Sequence, residues 1–239
     1  MKRVIVILDS VSYDLLMETE TPNIDSLGEV RLAYSHGSWT LPSIASLING
    51  HPPACYGKKF IEPNPFLLRE HRILFYTSND WVRLLLEAYR RIYCGIRVIF
   101  YDYRECINEM IDDLKTRRGS YLAFLHVMET HYPYTIYKGE KPPDTKDPKV
   151  LKERQKRALK YVDEALGRLF SIPNLAILVT SDHGQAFDGG ELHGNFDGIF
   201  RPELFRVFIV AKNWPLLKRG GDREDRRYMR RRNILPSMV

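Results

Sequence analysis

The sequence predicts an α/β fold, with a largely parallel central sheet and helices on both faces. Three observations carry this expectation. Apolar runs rich in Val, Ile, Phe and Tyr alternate along the chain with longer segments of helical periodicity, the pattern of strands joined by crossover helices. Several runs are apolar at nearly every position, as in strands buried on both faces. Finally, Asp9 and the pair Asp182-His183 stand just after two of these runs, where open α/β sheets place their ligands.

Residues 4–8 form the first expected strand, and residues 72–77, 96–101, 121–127, 175–180 and 205–210 read the same way. A short helix is expected over residues 41–48. Thr40 suits its N-cap, and Pro42 falls near the first helical position, where proline is common. Residues 80–91 form a second helix with Asn79 or Asp80 as cap. Residues 103–118 carry Cys106, Ile107, Met110, Ile111 and Leu114 at helical spacing. Residues 148–170 form the longest helix, with Leu159, Val162, Leu166 and Leu169 on one face. Residues 50–65 and 132–148 are rich in loop-forming residues such as Pro and Gly, and long loops over a rigid sheet tend to be functional. No repeat, low-complexity tract or domain boundary interrupts the pattern, so residues 1–239 are expected to form a single domain.

At 239 residues, 44% hydrophobic and 28% charged, the composition is that of a soluble globular protein with a substantial core. No apolar run approaches the roughly 20 residues of a membrane span. The N-terminal run is too short for a signal peptide, and no small-residue cleavage site follows it. Cys55, Cys94 and Cys106 give neither a disulfide framework nor zinc-site spacing. They read as small buried hydrophobes, and a cytoplasmic setting is the expectation. The net charge is +6, with much of the excess in Lys218-Arg219 and from Arg223 to Arg232. Asp222, Glu224 and Asp225 are interleaved there, which fits a solvated helix face. An acidic partner, such as nucleic acid, acidic lipid or another subunit, is the alternative. No nucleic-acid-binding motif accompanies the charge.

Asp182-His183-Gly184 offers oxygen and nitrogen donors that suit Zn, Mn, Mg or Ca, although a turn closed by Gly184 would use the same residues. Thr40 has two readings. It caps a helix, or it is a hydroxyl at an anion-binding helix N-terminus, activated as a nucleophile by a divalent cation. His131, in Glu129-Thr130-His131-Tyr132-Pro133-Tyr134, and His193, in Gly190-Glu191-Leu192-His193-Gly194-Asn195, are either surface-loop histidines or site residues.

Taken in order, these segments resemble the sulfatase-like branch of the alkaline-phosphatase superfamily. Val4 to Ser10 looks like its opening strand with the first metal-binding acid. Thr21-Pro22-Asn23-Ile24-Asp25-Ser26-Leu27 is similar to its Thr-Pro-Asn-Ile-Asp-x-Leu segment, and Thr40-Leu41-Pro42-Ser43 falls at its nucleophile motif, followed by Gly50-His51-Pro52-Pro53. His131-Tyr132-Pro133-Tyr134 resembles its His-x-Pro-Tyr loop. Tyr161, Val162 and Asp163 through Leu169 resemble the helix before its second metal motif, which Thr180-Ser181-Asp182-His183-Gly184 matches. Arg206-Val207-Phe208-Ile209-Val210 and Asn233-Ile234-Leu235-Pro236-Ser237 are similar to its late strand and Asp-Ile-x-Pro-Thr turn.

The resemblance implies an alkaline-phosphatase-like fold with Asp9, Thr40, Asp182 and His183 around one divalent cation. Mn or Zn is the first expectation, with Ca or Mg as alternatives. It implies Thr40 as nucleophile, and His131 and His193 facing a small anionic ester substrate, with His131 also catalytic. The departures are informative. Sulfatases need a Cys or Ser that becomes formylglycine, and threonine does not, so phosphate ester hydrolysis is expected rather than sulfate ester hydrolysis. Ser10 stands where sulfatases carry a second acid, and this set is similar to the lipoteichoic-acid synthase pattern. Two-metal members add an Asp and a His four residues apart. The nearest acid here is Glu129, with Pro133 in the histidine's place, which favours one cation over two. Larger members continue into a C-terminal subdomain, so a site that is open or completed by another subunit is expected. Sulfate or phosphonate ester hydrolysis, head-group phosphotransfer and a non-catalytic binding role are the alternatives.

Overall fold

The computed structural model describes residues 2–50, 72–92, 95–100, 106–136, 139–188, 192–194 and 199–214. Its strands are β1 (Lys2–Leu8), β2 (Arg31–Tyr34), β3 (Ile73–Thr77), β4 (Ile96–Phe100), β5 (Tyr121–Val127), β6 (Leu175–Ser181) and β7 (Arg206–Lys212). They form one sheet in the order β2-β7-β6-β1-β5-β3-β4. Neighbours from β6 to β4 are parallel, whereas β7 runs antiparallel to both β6 and β2. The expected α/β architecture is therefore present, with a mixed edge at β7. The strand β2 was not expected. The basic C-terminal segment, Asn233 to Ser237, His51, most of the 50–65 loop, Cys55, Cys94, Tyr101, Tyr103 and Asn195 lie outside the described residues.

The helices are α1 (Tyr13–Met17), α2 (Pro22–Asp25), α3 (Thr40–Asn49), α4 (Asp80–Ile92), α5 (Cys106–Thr116) and α6 (Pro148–Phe170). Their starts follow from local chemistry. Asp147 accepts from Lys149 N at 2.9 Å, and Pro148 fills the first turn of α6, where its missing N–H costs nothing. Asn79, rather than Asp80, caps α4 by accepting from Trp81 N at 3.0 Å and Val82 N at 3.1 Å. Gly50 ends α3 at φ +71, a left-handed conformation that glycine adopts without strain. The short α2 leans on α6. Buried Asp163 accepts from Asn23 N, Asn23 Nδ2 and Ile24 N at 3.1, 3.0 and 2.8 Å. The Thr-Pro-Asn-Ile and Tyr-Val-Asp segments of the sequence thus meet as one structural clamp.

Side chains alternate across the sheet with period two. Val4, Val6 and Leu8 join a core with Leu15, Ile24, Ile111, Leu159 and Val162, from α1, α2, α5 and α6. Ile5 and Ile7 join a second core with Ile44 and Ile48 of α3 and Val82, Leu86 and Tyr89 of α4. Each fully buried aliphatic side chain contributes on the order of 1.5–3 kcal/mol, so both faces of the sheet are firmly held. On the α3/α4 face lie Ile5 and Ile7 of β1, Leu122 and Phe124 of β5, and Ile73 and Phe75 of β3. Continuing these rows by two residues, at the carboxyl ends of the strands, gives Asp9, His126 and Thr77. The apolar rows end in polar chemistry on one side of the molecule.

Candidate active site

Asp9 leaves β1 into a tight elbow. Its N–H donates to Val127 O at 3.0 Å, and Ser10 takes φ +64, an uncommon conformation for a side chain-bearing residue. The elbow is strapped from below. Thr130 Oγ1 donates to Asp9 O at 2.7 Å, and buried Gln155 donates to Ser10 O and Thr130 O, each at 2.9 Å. This backbone turns Ser10 so that its hydroxyl donates to Asp9 Oδ1 at 2.6 Å and its N–H to Asp182 Oδ1 at 3.1 Å. The two acids, 173 positions apart in sequence (182 − 9), are joined through one residue.

Asp182 and His183 follow β6. Gly184 is needed behind them, because a Cβ there would collide with Glu203 O. His183 Nδ1 lies 2.7 Å from Gly184 O. A carbonyl only accepts, so Nδ1 carries a hydrogen and Nε2 of the neutral ring presents a lone pair. That Nε2 lies 3.5 Å from Asp182 Oδ2, 3.7 Å from Asp9 Oδ1 and 3.4 Å from Thr40 Oγ1. Thr40 Oγ1 in turn donates to Asp9 Oδ2 at 3.3 Å.

Thr40 is the first residue of α3 and not its cap. Trp39 occupies the cap position and makes no side-chain capping bond. The expected capping role is thus corrected: the Thr40 hydroxyl turns into the cluster of Asp9 and His183 and leaves the helix end uncapped. The preceding segment is stapled in place. Ser35 Oγ donates to Asp182 O, Gly194 N to Ser38 O at 2.8 Å, and Ser38 Oγ to Gly194 O at 3.1 Å.

The same staple brings in His193. Its ring centroid lies 5.3 Å from that of His183 and 5.2 Å from that of His131, and the Nε2 atoms of His131 and His193 are 3.3 Å apart. His131 Nδ1 lies 2.7 Å from Tyr132 O, which orients its Nε2 toward His193. Burial, with the charges of His183 and His131, lowers the His193 pKa to about 4. The ring is therefore neutral at neutral pH. All six residues singled out in the sequence, Asp9, Thr40, His131, Asp182, His183 and His193, are thus brought to one end of the sheet.

One residue of the cluster was not expected. His126, inside β5 and fully buried, places Nε2 3.0 Å from Asp9 Oδ2. Asp9, His126 and Asp182 form a group with the proximity of metal ligands. The signal for His126 was available as a parity: a histidine continuing the buried row Leu122, Phe124 in an otherwise apolar strand.

The two carboxylates are electrostatically unequal. Burial works against charge on Asp9. The charge of His131, the bond and charge of His126 and the charge of His183 outweigh it and hold the carboxyl well below its usual range. Asp182 is pushed up by burial and by the neighbouring charge of Asp9. Its Oδ2 is buried without a hydrogen-bond partner among the described residues. An unpartnered buried carboxylate oxygen is costly, and a cation between the acids would relieve it. Tetrahedral N and O donors about 2.0–2.2 Å from a common centre lie about 3.3–3.6 Å apart. The separations Thr40 Oγ1–Asp9 Oδ2, Thr40 Oγ1–His183 Nε2 and His183 Nε2–Asp182 Oδ2, at 3.3, 3.4 and 3.5 Å, fall in that range, and His183 Nε2–Asp9 Oδ1 at 3.7 Å lies just beyond it.

No protein-family model matches the chain, and no curated protein does either. Solved structures do. A protein in the alkaline phosphatase superfamily from Vibrio parahaemolyticus is 18% identical, matching 89% of this chain and 60% of its own length, with a TM-score of 0.60. The chain has the alkaline-phosphatase-superfamily fold. The C-terminal periplasmic domain of the phosphoethanolamine transferase EptC from Campylobacter jejuni shares it at 14% identity, covering 90% of this chain and 81% of that one, TM-score 0.63. So does the phosphonate monoester hydrolase of Agrobacterium radiobacter, at 14% identity, 88% and 68% coverage and TM-score 0.62. Several structures with this fold are periplasmic domains. They overturn the cytoplasmic setting expected from the sparse cysteines: three scattered thiols are no mark of a reducing compartment. Among the described residues, no helix is long and apolar enough to cross a membrane.

Proposed function

We propose that this chain is a cation-dependent enzyme acting on phosphoric esters, with Thr40 as its nucleophile and hydrolysis as its reaction. The observation that carries this reading is the convergence of Thr40 Oγ1, His183 Nε2 and the Asp9 and Asp182 carboxylates at ligand-like separations, with Asp182 Oδ2 left unpartnered. Asp9, Asp182, His183 and Thr40 would hold one divalent cation. The mixed nitrogen and oxygen donors favour Zn or Mn over Ca or Mg. When bound, such a cation supplies Lewis-acid charge to a phosphoryl oxygen and makes the Thr40 hydroxyl more acidic.

The chain's own residues account for the rest. The Thr40 proton already points at Asp9 Oδ2. Attack forms an Oγ–P bond and breaks the bond from phosphorus to the leaving oxygen. The N–H groups of Thr40 and Leu41, in the first turn of α3, would offer donors to the developing charge. His131 and His193 stand together at the edge of the cluster, placed to bind a substrate oxygen, with His131 giving the leaving oxygen its proton. Water then cleaves the phosphothreonine. The structures sharing the fold support an extracytoplasmic setting for this chemistry.

A second reading replaces water by an acceptor alcohol. The phosphoethanolamine transferase among the structures of this fold favours it. Turnover of an aryl phosphodiester with Zn or Mn tests the nucleophile: Thr40→Ala should lose at least about a thousandfold, and acid-quenched wild type should carry one phosphoryl group that Thr40→Ala lacks. Unchanged turnover in Thr40→Ala sinks the assignment. Adding an acceptor alcohol then divides product between a new phosphodiester and the phosphate monoester, which separates transfer from hydrolysis.

A further inference from the structure

His126 is a buried ionisable residue of the cluster that the proposed chemistry leaves unused. It sits in the centre of a chain of hydrogen bonds that runs away from the site. Asn79 N donates to Thr77 Oγ1 at 3.1 Å, and Thr77 Oγ1 lies 3.2 Å from His126 Nδ1. His126 Nε2 reaches Asp9 Oδ2 at 3.0 Å. Directions follow from the ends. A backbone N–H only donates, so Asn79 occupies a lone pair of the Thr77 oxygen. Among the described residues, the acceptor left for the Thr77 hydroxyl hydrogen is His126 Nδ1. The neutral ring therefore carries its hydrogen on Nε2, aimed at Asp9. Protonation of the ring would add a hydrogen at Nδ1 and leave the bond to Asp9 in place.

From the other side, Ser10 Oγ donates to Asp9 Oδ1 at 2.6 Å. Both oxygens of the Asp9 carboxylate are thus gripped by protein donors, each set by strong local constraint. His126 is fixed by strand β5 and the Thr77-Asn79 pair, and Asn79 is fixed because its side chain caps α4. Ser10 is fixed by its left-handed backbone.

We propose that His126 is a positioning residue. Together with Ser10 it clamps the Asp9 carboxylate and presets the angle of its remaining lone pairs for a divalent cation, and the Thr77-Asn79 pair transmits the order of the α4 cap to that angle. The inference rests on Asp9 being a cation ligand. Hydrogen bonds to ligating carboxylates are the usual way a metal site is oriented, and losing one typically costs about 10–100-fold in affinity or activity.

The test is the equilibrium affinity of the full chain for Zn and for Mn, measured by competition with a chromogenic chelator. His126→Leu removes the donor, whereas His126→Gln can return an N–H near the position of Nε2. Thr77→Val breaks the relay with little change in shape, and Asp9→Asn controls for the underlying reading. Expected are a 10–100-fold loss in His126→Leu, recovery to within a few-fold in His126→Gln, and a smaller loss in Thr77→Val. Equal weakening of the Leu and Gln variants would mean that His126 acts other than by its Nε2 hydrogen, as a ligand or as packing, and the clamp is then wrong. Wild-type affinity in a folded His126→Leu overturns it too. If His126→Leu does not fold, Thr77→Val together with Ser10→Ala decides, and wild-type affinity in both rejects the clamp. Unchanged affinity in Asp9→Asn removes the ligand reading itself, whatever the other variants do.

Discussion

Asp163 and Asp182 are both buried carboxylates, 2% and 5% exposed, and both belong to segments that stood out in the sequence. Their surroundings differ in one respect. Asp163 Oδ1 accepts from Ile24 N, and Oδ2 from Asn23 N and Asn23 Nδ2, so both oxygens are satisfied by the fold. Asp182 Oδ1 accepts from Ser10 N and His183 N, at 3.1 and 2.8 Å, while Oδ2 faces His183 Nε2 and has no donor among the described residues. The first carboxylate completes a structural clamp. The second has an oxygen that no donor among the described residues completes. Burial and sequence pattern alone do not separate these two acids, whereas the donor count on each oxygen does.

The largest effect that would sharpen this contrast is on activity. Asp182→Asn should lower turnover of a phosphodiester by at least about a thousandfold, and Asp163→Asn should leave it nearly unchanged in folded protein. Steady-state assays on the two variants check this, and similar losses in both would break the distinction. Next in size is the effect of the cation on stability. At a hundredfold excess over Kd it should add about 2.7 kcal/mol. Thermal melts with and without chelator should show this shift in wild type and Asp163→Asn but not in Asp182→Asn.

Stability without the cation should reverse the order of the two variants. Asp163→Asn turns one acceptor oxygen into a donor facing other donors and should cost about 1–3 kcal/mol in a denaturant titration. Asp182→Asn keeps the Oδ1 acceptor, removes the repulsion from Asp9, and turns an amide toward His183 Nε2. Its metal-free stability should match or exceed that of wild type. Acid unfolding gives the smallest effect. Burial pushes the Asp113 carboxyl up, but bonds from Arg117 and Tyr76 and the charge of Arg117 outweigh it and leave the pKa below 3.8. A depressed folded pKa contributes stability above the unfolded value, and that contribution fades as pH falls through the folded one. The pair is partly exposed, so Asp113→Asn should cost about 0.5–1 kcal/mol at pH 6. The gap should narrow in melts taken below pH 3.8.

Most of the fold was legible because its strands are continuous apolar runs and its long helices carry one apolar face. The strand β2 was not. Three of its four residues, Arg31, Leu32 and Tyr34, are exposed, and pairing with β7 alone makes it a strand. The helices α1 and α2 are too short for periodicity and depend on Ser12 and on Asp163 from α6. In the candidate site, Asp9, Asp182 and His183 stood out in the sequence because they follow strands, and Thr40 because it stands at the start of a helix. His126 lies inside a strand, and its role appears only when the rows of β1, β3 and β5 are set side by side. The role of Ser10 comes from a positive φ that the sequence does not display.

The proposed cation-binding cluster is tested most directly by equilibrium binding of Zn or Mn to wild type, Asp163→Asn and Asp182→Asn, with the cation counted per chain. One cation on wild type and on Asp163→Asn, with at least a hundredfold weaker binding by Asp182→Asn, is the predicted result. Binding by Asp182→Asn as tight as by wild type would contradict the account.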